Sequence, residues 1–398
     1  MLLQKNSPHL PKSFSKKALS VSLVARHANI AGGLEKQLRQ IAYAFAARKV
    51  AVNLVTAAPQ LTNQFSNLIQ CHSLQVKKTL RCRAPKAFDR ACRLWHDSHR
   101  HPVVFGIDRI SFATHLRAGN GVHRAYLEKR ALFSPRIRAF KDCFNPLHRT
   151  LLKLECEAFT SPTLRLIFTN SEMVKRDILR FYPVDEKTIH VIYNGVEWNE
   201  FAVPFSAWQS RKQHLCRALA LNPSDYHFLF IGHGFRRKGL SLLLTAFAAL
   251  QERNCHLSIV GKDSHLSFFQ AQCHRLGIAK RVTFFGPRQD VIPFYTVSDC
   301  LVIPSLYDPC ANVTVEGLAM GLYIVSSPFN GGSEMLTTAN GTVIPRLDAK
   351  DAFVAALKTA LARPKTADQA THIRRSAQQF TFTRQLTTLV DATLRTLP

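Results

Sequence analysis

Acidic residues are scarce in this chain: 26 Asp and Glu stand against 53 Lys and Arg, a formal charge of +27 over 398 residues. A surface so one-sided seeks phosphate, whether in nucleic acid, anionic lipid or a phosphorylated glycan. Long apolar runs are missing too. None approaches the roughly 18 residues needed to cross a bilayer, and a mean hydropathy of -0.06 with 46% hydrophobic residues is globular. The ten cysteines never pair as C-x-x-C and form no short secreted framework, so scattered, reduced thiols in a cytoplasm are the simplest account. His96, His99 and His101 near Cys92 lack paired zinc-ligand spacing and read as a solvated His/Arg-rich loop. No Asp-x-Asp pair is present to hold a divalent ion, and no RNP motif, zinc finger, internal repeat or low-complexity block appears.

What is present is enough chain for two ordinary domains. Residues 1–17 are polar, with Lys5, Lys12, Lys16 and Lys17, and read as a flexible basic leader rather than a signal peptide. The stretch Ala18–Ala25 reads as a buried strand. After it come Gly32-Gly33, then Leu34, Leu38, Ile41, Ala42 and Phe45 at helical spacing, and a second strand over Val50–Val55. Strand, glycine turn, helix and strand make one βαβ unit and predict a parallel sheet. The same alternation resumes at His227–Ile231 after a looser segment around Pro204–Leu221, and an amphipathic run from Phe380 to Leu397 closes the chain. From Lys77 to Arg149 the chain is strongly basic and acids are few, so a basic patch is expected there.

Two loops carry the chemistry. Gly232-His-Gly-Phe-Arg-Arg237-Lys238-Gly239 opens a helix, so two cations and free N–H groups converge on one point. The apolar run Cys300–Pro304 reads as a strand and leads into Ser305-Leu-Tyr-Asp308-Pro-Cys-Ala-Asn312-Val313-Thr-Val-Glu316, with Asn312 as the expected N-cap of a second helix. The free N–H groups of that helix would seat an anion between Asp308 and Glu316. Eight residues at about 1.5 Å each span about 12 Å at most, approximately the reach from a hexose past a diphosphate to a ribose.

An acid, seven residues and a Glu, set in this Tyr-Asp-Pro…Asn-Val…Glu…Ala-Met-Gly context and followed by Gly331-Gly332-Ser333-Glu334, resembles the donor signature of retaining glycosyltransferases of family four, and among them the lipopolysaccharide core enzymes. The resemblance is close from about Phe228 to Pro345 and holds only in outline before that. It implies an α/β chain of GT-B type: two Rossmann-like domains, 18–200 and 201–379, facing a cleft, with residues 380–398 crossing back to the first domain. By it, Asp308 holds hydroxyls of the transferred sugar, Glu316 the ribose, Arg237 and Lys238 the diphosphate, and Gly32 and Gly33 face that diphosphate across the cleft. Asn312 and Val313 lie in the same donor loop. Asn120, or else His123, stands near the reacting carbon.

The implied reaction is metal-independent transfer of a hexose or heptose from a nucleotide sugar, a substrate rather than a cofactor, to a glycan or glycolipid. The setting is lipopolysaccharide core synthesis at an anionic membrane surface, on the inner face of the cytoplasmic membrane, with no nucleic acid expected as partner. Two other readings stay open: a sugar-nucleotide epimerase of the same architecture, and a basic nucleic-acid-binding protein supported by charge alone.

Overall fold

The computed structural model describes residues 19–26, 33–57, 67–76, 79–133, 142 and 144–397, and the side chains of all these except 33–36. The leader, Gly32, Lys77 and Lys78 therefore lie outside the described residues.

Runs of Val, Leu, Ile and Phe bounded by turns make the central strands, such as Val103–Gly106 and Cys300–Ile303, buried on both faces. The first sheet holds seven: β1 (Ser20–Val24), β2 (Ala51–Thr56), β3 (Ile69–Ser73), β4 (Val103–Gly106), β5 (His115–Arg117), β6 (Leu166–Thr169) and β7 (Ile189–Val191). Their order is β3-β2-β1-β4-β5-β6-β7, all parallel. The second holds β8 (Tyr226–Ile231), β9 (Cys255–Val260), β10 (Val282–Gly286), β11 (Cys300–Ile303), β12 (Tyr323–Ser326) and β13 (Gly341–Val343). It runs β10-β9-β8-β11-β12-β13, again parallel throughout. Each order reverses direction once, between β1 and β4 and between β8 and β11. Crevices for ligands form outside the carboxyl ends of strands at such switch points, so the loops after β8 and β11 are where a site is built.

The final helix, Phe382–Leu394, packs on the first domain, where Leu389 and Val390 join Leu38, Ile41 and Phe45 in one buried cluster. The crossing is pinned by backbone: Val196 N donates to Phe380 O and Phe382 N to Val196 O, both at 3.1 Å. Gly195 makes this approach possible, since a Cβ there would lie 2.3 Å from the Thr381 carbonyl carbon.

Two expectations are corrected. The segment Pro204–Leu221 is not loose: helices Trp198–Ser206 and Trp208–Ala218 occupy it, anchored by buried Phe201, Trp208 and Cys216. Pro204 falls in the last turn of the first, where it ends a helix rather than breaking one. The His96–His101 segment is solvent-exposed as expected, but it is the end of a helix and not a loop. Helix Ala84–His99 starts with Pro85 in its first turn and ends at Arg100 in the left-handed region. Its Trp95 stacks on His99, ring centroids 4.3 Å apart, and on His101 at 5.5 Å. Burial, with the neighbouring His99, His96 and His72, pushes the His101 imidazole down to about 4. No helix among the described residues is long and apolar enough to cross a membrane.

Candidate active site

The loops after β8 and β11 meet. Lys238 Nζ donates to Asp308 Oδ2, and Arg237 Nη1 lies 3.9 Å from the same oxygen. Asp308 is 7% exposed and pinned through its backbone: its N donates to Phe329 O at 2.8 Å, and its O accepts from Gly331 N at 2.9 Å. Two cations against one carboxylate leave positive charge at the floor of the cleft.

The helix after Asp308 runs Asn312–Ala319, and its N-cap is Ala311, with no side-chain cap. Asn312 is therefore not the cap. Asn330 Oδ1 instead accepts from Ala311 N at 3.0 Å, which frees Asn312 Oδ1 to accept from Asn194 Nδ2 of the first domain at 2.8 Å. One turn on, Glu316 Oε2 accepts from the buried Tyr295 hydroxyl at 2.7 Å. Burial first, and the Glu316 charge second, hold that phenol well above its usual range and keep it a donor.

Three hollows follow one another along the cleft. The middle one, about 410 Å³, lies between Asn120, Asn170 and Asn194 of the first domain and Arg237, Lys238, Asp308, Asn312 and Val313 of the second. It shares Asn120, Lys238 and Asp308 with a hollow of about 370 Å³, which adds Arg109, His123 and Tyr126. It shares Asn312 and Val291 with one of about 510 Å³, which adds Glu316. The cleft thus brings together Asp308, Arg237, Lys238, Asn312, Val313, Asn120 and His123, with Glu316 at its far end. Gly33 begins the helix Gly33–Ala47. A larger hollow, about 1170 Å³, is elsewhere on the first domain and shares no lining residue with these three.

Asn120 and His123 are not alike. Burial, then Arg109, His148 and Arg130, lower the His123 imidazole to about 3. It is neutral, its Nε2 3.1 Å from His148 Nδ1. Its backbone is held by Glu155, a carboxylate with no exposed surface. Glu155 Oε2 accepts from Arg109 Nε at 2.8 Å and His123 N at 2.6 Å, while Oε1 accepts from Arg124 N at 3.2 Å and Tyr182 Oη at 2.7 Å. It thereby caps the helix His123–Leu132 and aims Arg109 into the cleft. Among the described residues no group of three or more His, Cys, Asp or Glu is placed to hold a metal ion.

Comparison with known proteins assigns this architecture. Residues 31–199 match the profile described as Glycosyltransferase Family 4, and residues 225–363 that described as Glycosyl transferases group 1. The crystal structure of WaaG, a glycosyltransferase involved in lipopolysaccharide biosynthesis, superposes with a TM-score of 0.74 at 19% identity, covering 94% of this chain and 98% of that one. The chain belongs to the glycosyltransferases of the GT-B fold.

This glycosyltransferase is 30% identical over 173 residues to an uncharacterised glycosyltransferase of Methanocaldococcus jannaschii, 43% of this chain and 44% of that one. It is 31% identical over 137 residues to the lipopolysaccharide glucosyltransferase WaaG of Escherichia coli K12, 33% of this chain and 36% of that one. Each match spans less than half of the relative's length. The Anabaena protein HepE, solved in complex with UDP and glucose, superposes with a TM-score of 0.68 at 17% identity, covering 95% of this chain and all of that one.

Sequence reasoning missed four residues that organise the glycosyltransferase's cleft, Arg109, Glu155, Tyr307 and Asn194, and misplaced a fifth, Glu334. Arg109 and Glu155 are 46 positions apart, and nothing local marks them as a pair. Tyr307 was passed over beside Asp308, yet its hydroxyl donates to Asp177 Oδ2 at 2.9 Å and accepts from Val122 N at 3.0 Å across the domain boundary. Asn194 stands in an Asn-Gly pair that signals only a turn, yet its Nδ2 donates to Asn312 Oδ1 of the second domain at 2.8 Å. Glu334 was read with the donor signature but turns the other way: it accepts from Glu172 N at 2.8 Å and Met173 N at 2.7 Å, capping a helix of the first domain.

Proposed function

We propose that this glycosyltransferase moves a hexose or heptose from a nucleoside-diphosphate sugar to a glycan or glycolipid acceptor, with retention of configuration and without a divalent ion. The observation that carries the reading is the convergence of Arg237, Lys238 and buried Asp308 at the β8–β11 switch point, in the middle of three contiguous hollows. Arg237 and Lys238 take the diphosphate, Asp308 the hydroxyls of the sugar, and Glu316, with Asn312 and Val313 in its helix, the nucleoside side. As the sugar–phosphate bond breaks, the leaving diphosphate gains charge, which Lys238 and Arg237 stabilise in place. Asn120, or neutral His123, lies on the acceptor side of the same hollow, where Arg109 adds a cation. Likeness to WaaG and to HepE with its UDP and glucose supports the substrate class, and the lipopolysaccharide core is the acceptor class we favour. UDP-, GDP- and ADP-sugars screened by thermal shift and slow hydrolysis test it. One base should stabilise the protein, and its sugar should be released with unchanged anomeric configuration. Inversion would refute retention, and conversion to a stereoisomer would make the protein an epimerase.

We propose further that the acceptor side works at a membrane, on the cytoplasmic face. Arg83, Lys86, Arg90 and Arg93 line the hollow of about 1170 Å³ at helical spacing, with Leu80 and Leu94 exposed nearby. An anionic surface attracts each such cation by about 1 kcal/mol. Sedimentation with liposomes should require anionic lipid and fall steeply with salt, and Arg83→Glu with Arg90→Glu should abolish it while donor hydrolysis persists. Binding indifferent to lipid charge and salt would contradict this, and preference for RNA would favour a nucleic-acid partner.

A further inference from the structure

Arg117, the last residue of β5, is 5% exposed and has no carboxylate partner among the described residues. Its Nη2 donates to Asn194 Oδ1 at 3.1 Å, and its Nε is buried without an acceptor. The neighbours of that contact are neutral amides: Asn194 Oδ1 also receives Gln37 Nε2 at 3.3 Å and Gln385 Nε2 at 3.5 Å. Burial lowers the guanidinium to about 10. A buried cation without a counter-ion is strongly unfavourable, and proteins keep one where something else supplies the opposite charge.

The surroundings of Arg117 point toward the cleft. Gly119 lines both the 410 Å³ and the 370 Å³ hollows, and a Cβ at that position would sit 3.2 Å from Arg117 Nε. With glycine there, no side chain at 119 screens the guanidinium from the cleft. The amide that Arg117 grips is also the one that reaches the second domain, since Asn194 Nδ2 donates to Asn312 Oδ1 at 2.8 Å and to Cys310 O at 2.9 Å.

We infer that Arg117 is a buried third cation of the donor site: its counter-ion is the diphosphate of the bound nucleotide, and it fixes the Asn194–Asn312 amide pair across the cleft. It is a positioning residue, acting through Asn194 and through its field in a medium of low dielectric. The inference rests on the nucleotide-sugar reading above. It also sets a sign that a structural arginine would not show. In the free protein the charge is a burden, so replacing it with an apolar chain of similar length leaves the fold as stable or makes it more so. In the complex the same replacement removes a compensating charge.

The test titrates UDP, GDP and ADP, each against its nucleoside, into the wild type, Arg117→Met and Arg117→Lys, and records each ligand-free melting temperature. For the base that the wild type binds, Arg117→Met should weaken the diphosphate about tenfold or more, the effect of one lost charge at short range in low dielectric. Nucleoside affinity should not change, the melting temperature should not fall, and Arg117→Lys should recover most of the diphosphate affinity. Unchanged diphosphate affinity in Arg117→Met, or equal loss for diphosphate and nucleoside, overturns the inference alone. Should Arg117→Met not fold, the charge burden is refuted directly. A wild type that binds none of the three diphosphates overturns the nucleotide-sugar reading and this inference with it.

Discussion

Lys238→Ala is expected to lower turnover about 10²–10³-fold, the loss typical of removing one preorganised donor from a developing anion. Lys238 is 14% exposed at its side chain and already points at the floor of the cleft, so it needs no reorganisation when the diphosphate departs. The charge it meets is larger in the transition state than in the bound donor, so the loss should fall on kcat more than on KM. Arg237 stays within 3.9 Å of Asp308 in the variant, so that carboxylate keeps a cation and the fold should persist. Steady-state kinetics of donor hydrolysis, with a melting curve for each protein, checks both halves. A loss confined to KM would mean that Lys238 holds the ground state only.

Glu155→Ala should be the most damaging substitution for the first domain. Glu155 has no exposed surface and satisfies four donors at once: the Arg109 guanidinium, two N–H groups at the start of the helix His123–Leu132, and the Tyr182 hydroxyl. Removing it leaves the two helix N–H groups and the Tyr182 hydroxyl without an acceptor and Arg109 without its carboxylate, and each buried donor left unsatisfied costs about 1–3 kcal/mol. The urea midpoint of the first domain's unfolding transition measures it. Glu155→Gln should recover part of the loss, since its carbonyl can still accept from the helix N–H groups. A midpoint within experimental error of the wild type would show that Arg109 finds water or another acceptor, and that Glu155 does not hold the acceptor side together.

Much of the fold could be read from particular stretches. The apolar runs that became β1, β2, β4, β8 and β11 are buried strands bounded by turns, and the Arg237-Lys238 and Asp308 loops fall at the switch point that parallel topology predicts. Other elements were hidden for physical reasons. β5 is three residues long and includes a buried His and a buried Arg, so no hydrophobic period marks it. The pair Trp198–Ser206 and Trp208–Ala218 buries little but Phe201, Trp208 and Cys216, and its polar remainder resembles a linker. Asn312 has the residue type of an N-cap, but a tertiary partner, Asn194, claimed its side chain. The amide cluster around Arg117 joins residues 77, 157 and 191 positions apart, a separation that only the folded chain closes.

The central claim is that protein cations, not a metal ion, receive the diphosphate of a nucleotide in the cleft between the two sheets. Calorimetric titration of UDP, GDP and ADP in EDTA, into the wild type and Lys238→Ala, tests it most directly. The account predicts that one diphosphate binds the wild type as tightly with chelator as with added magnesium, and binds Lys238→Ala more weakly. Binding that appears only with magnesium, or that is indifferent to Lys238, would contradict it.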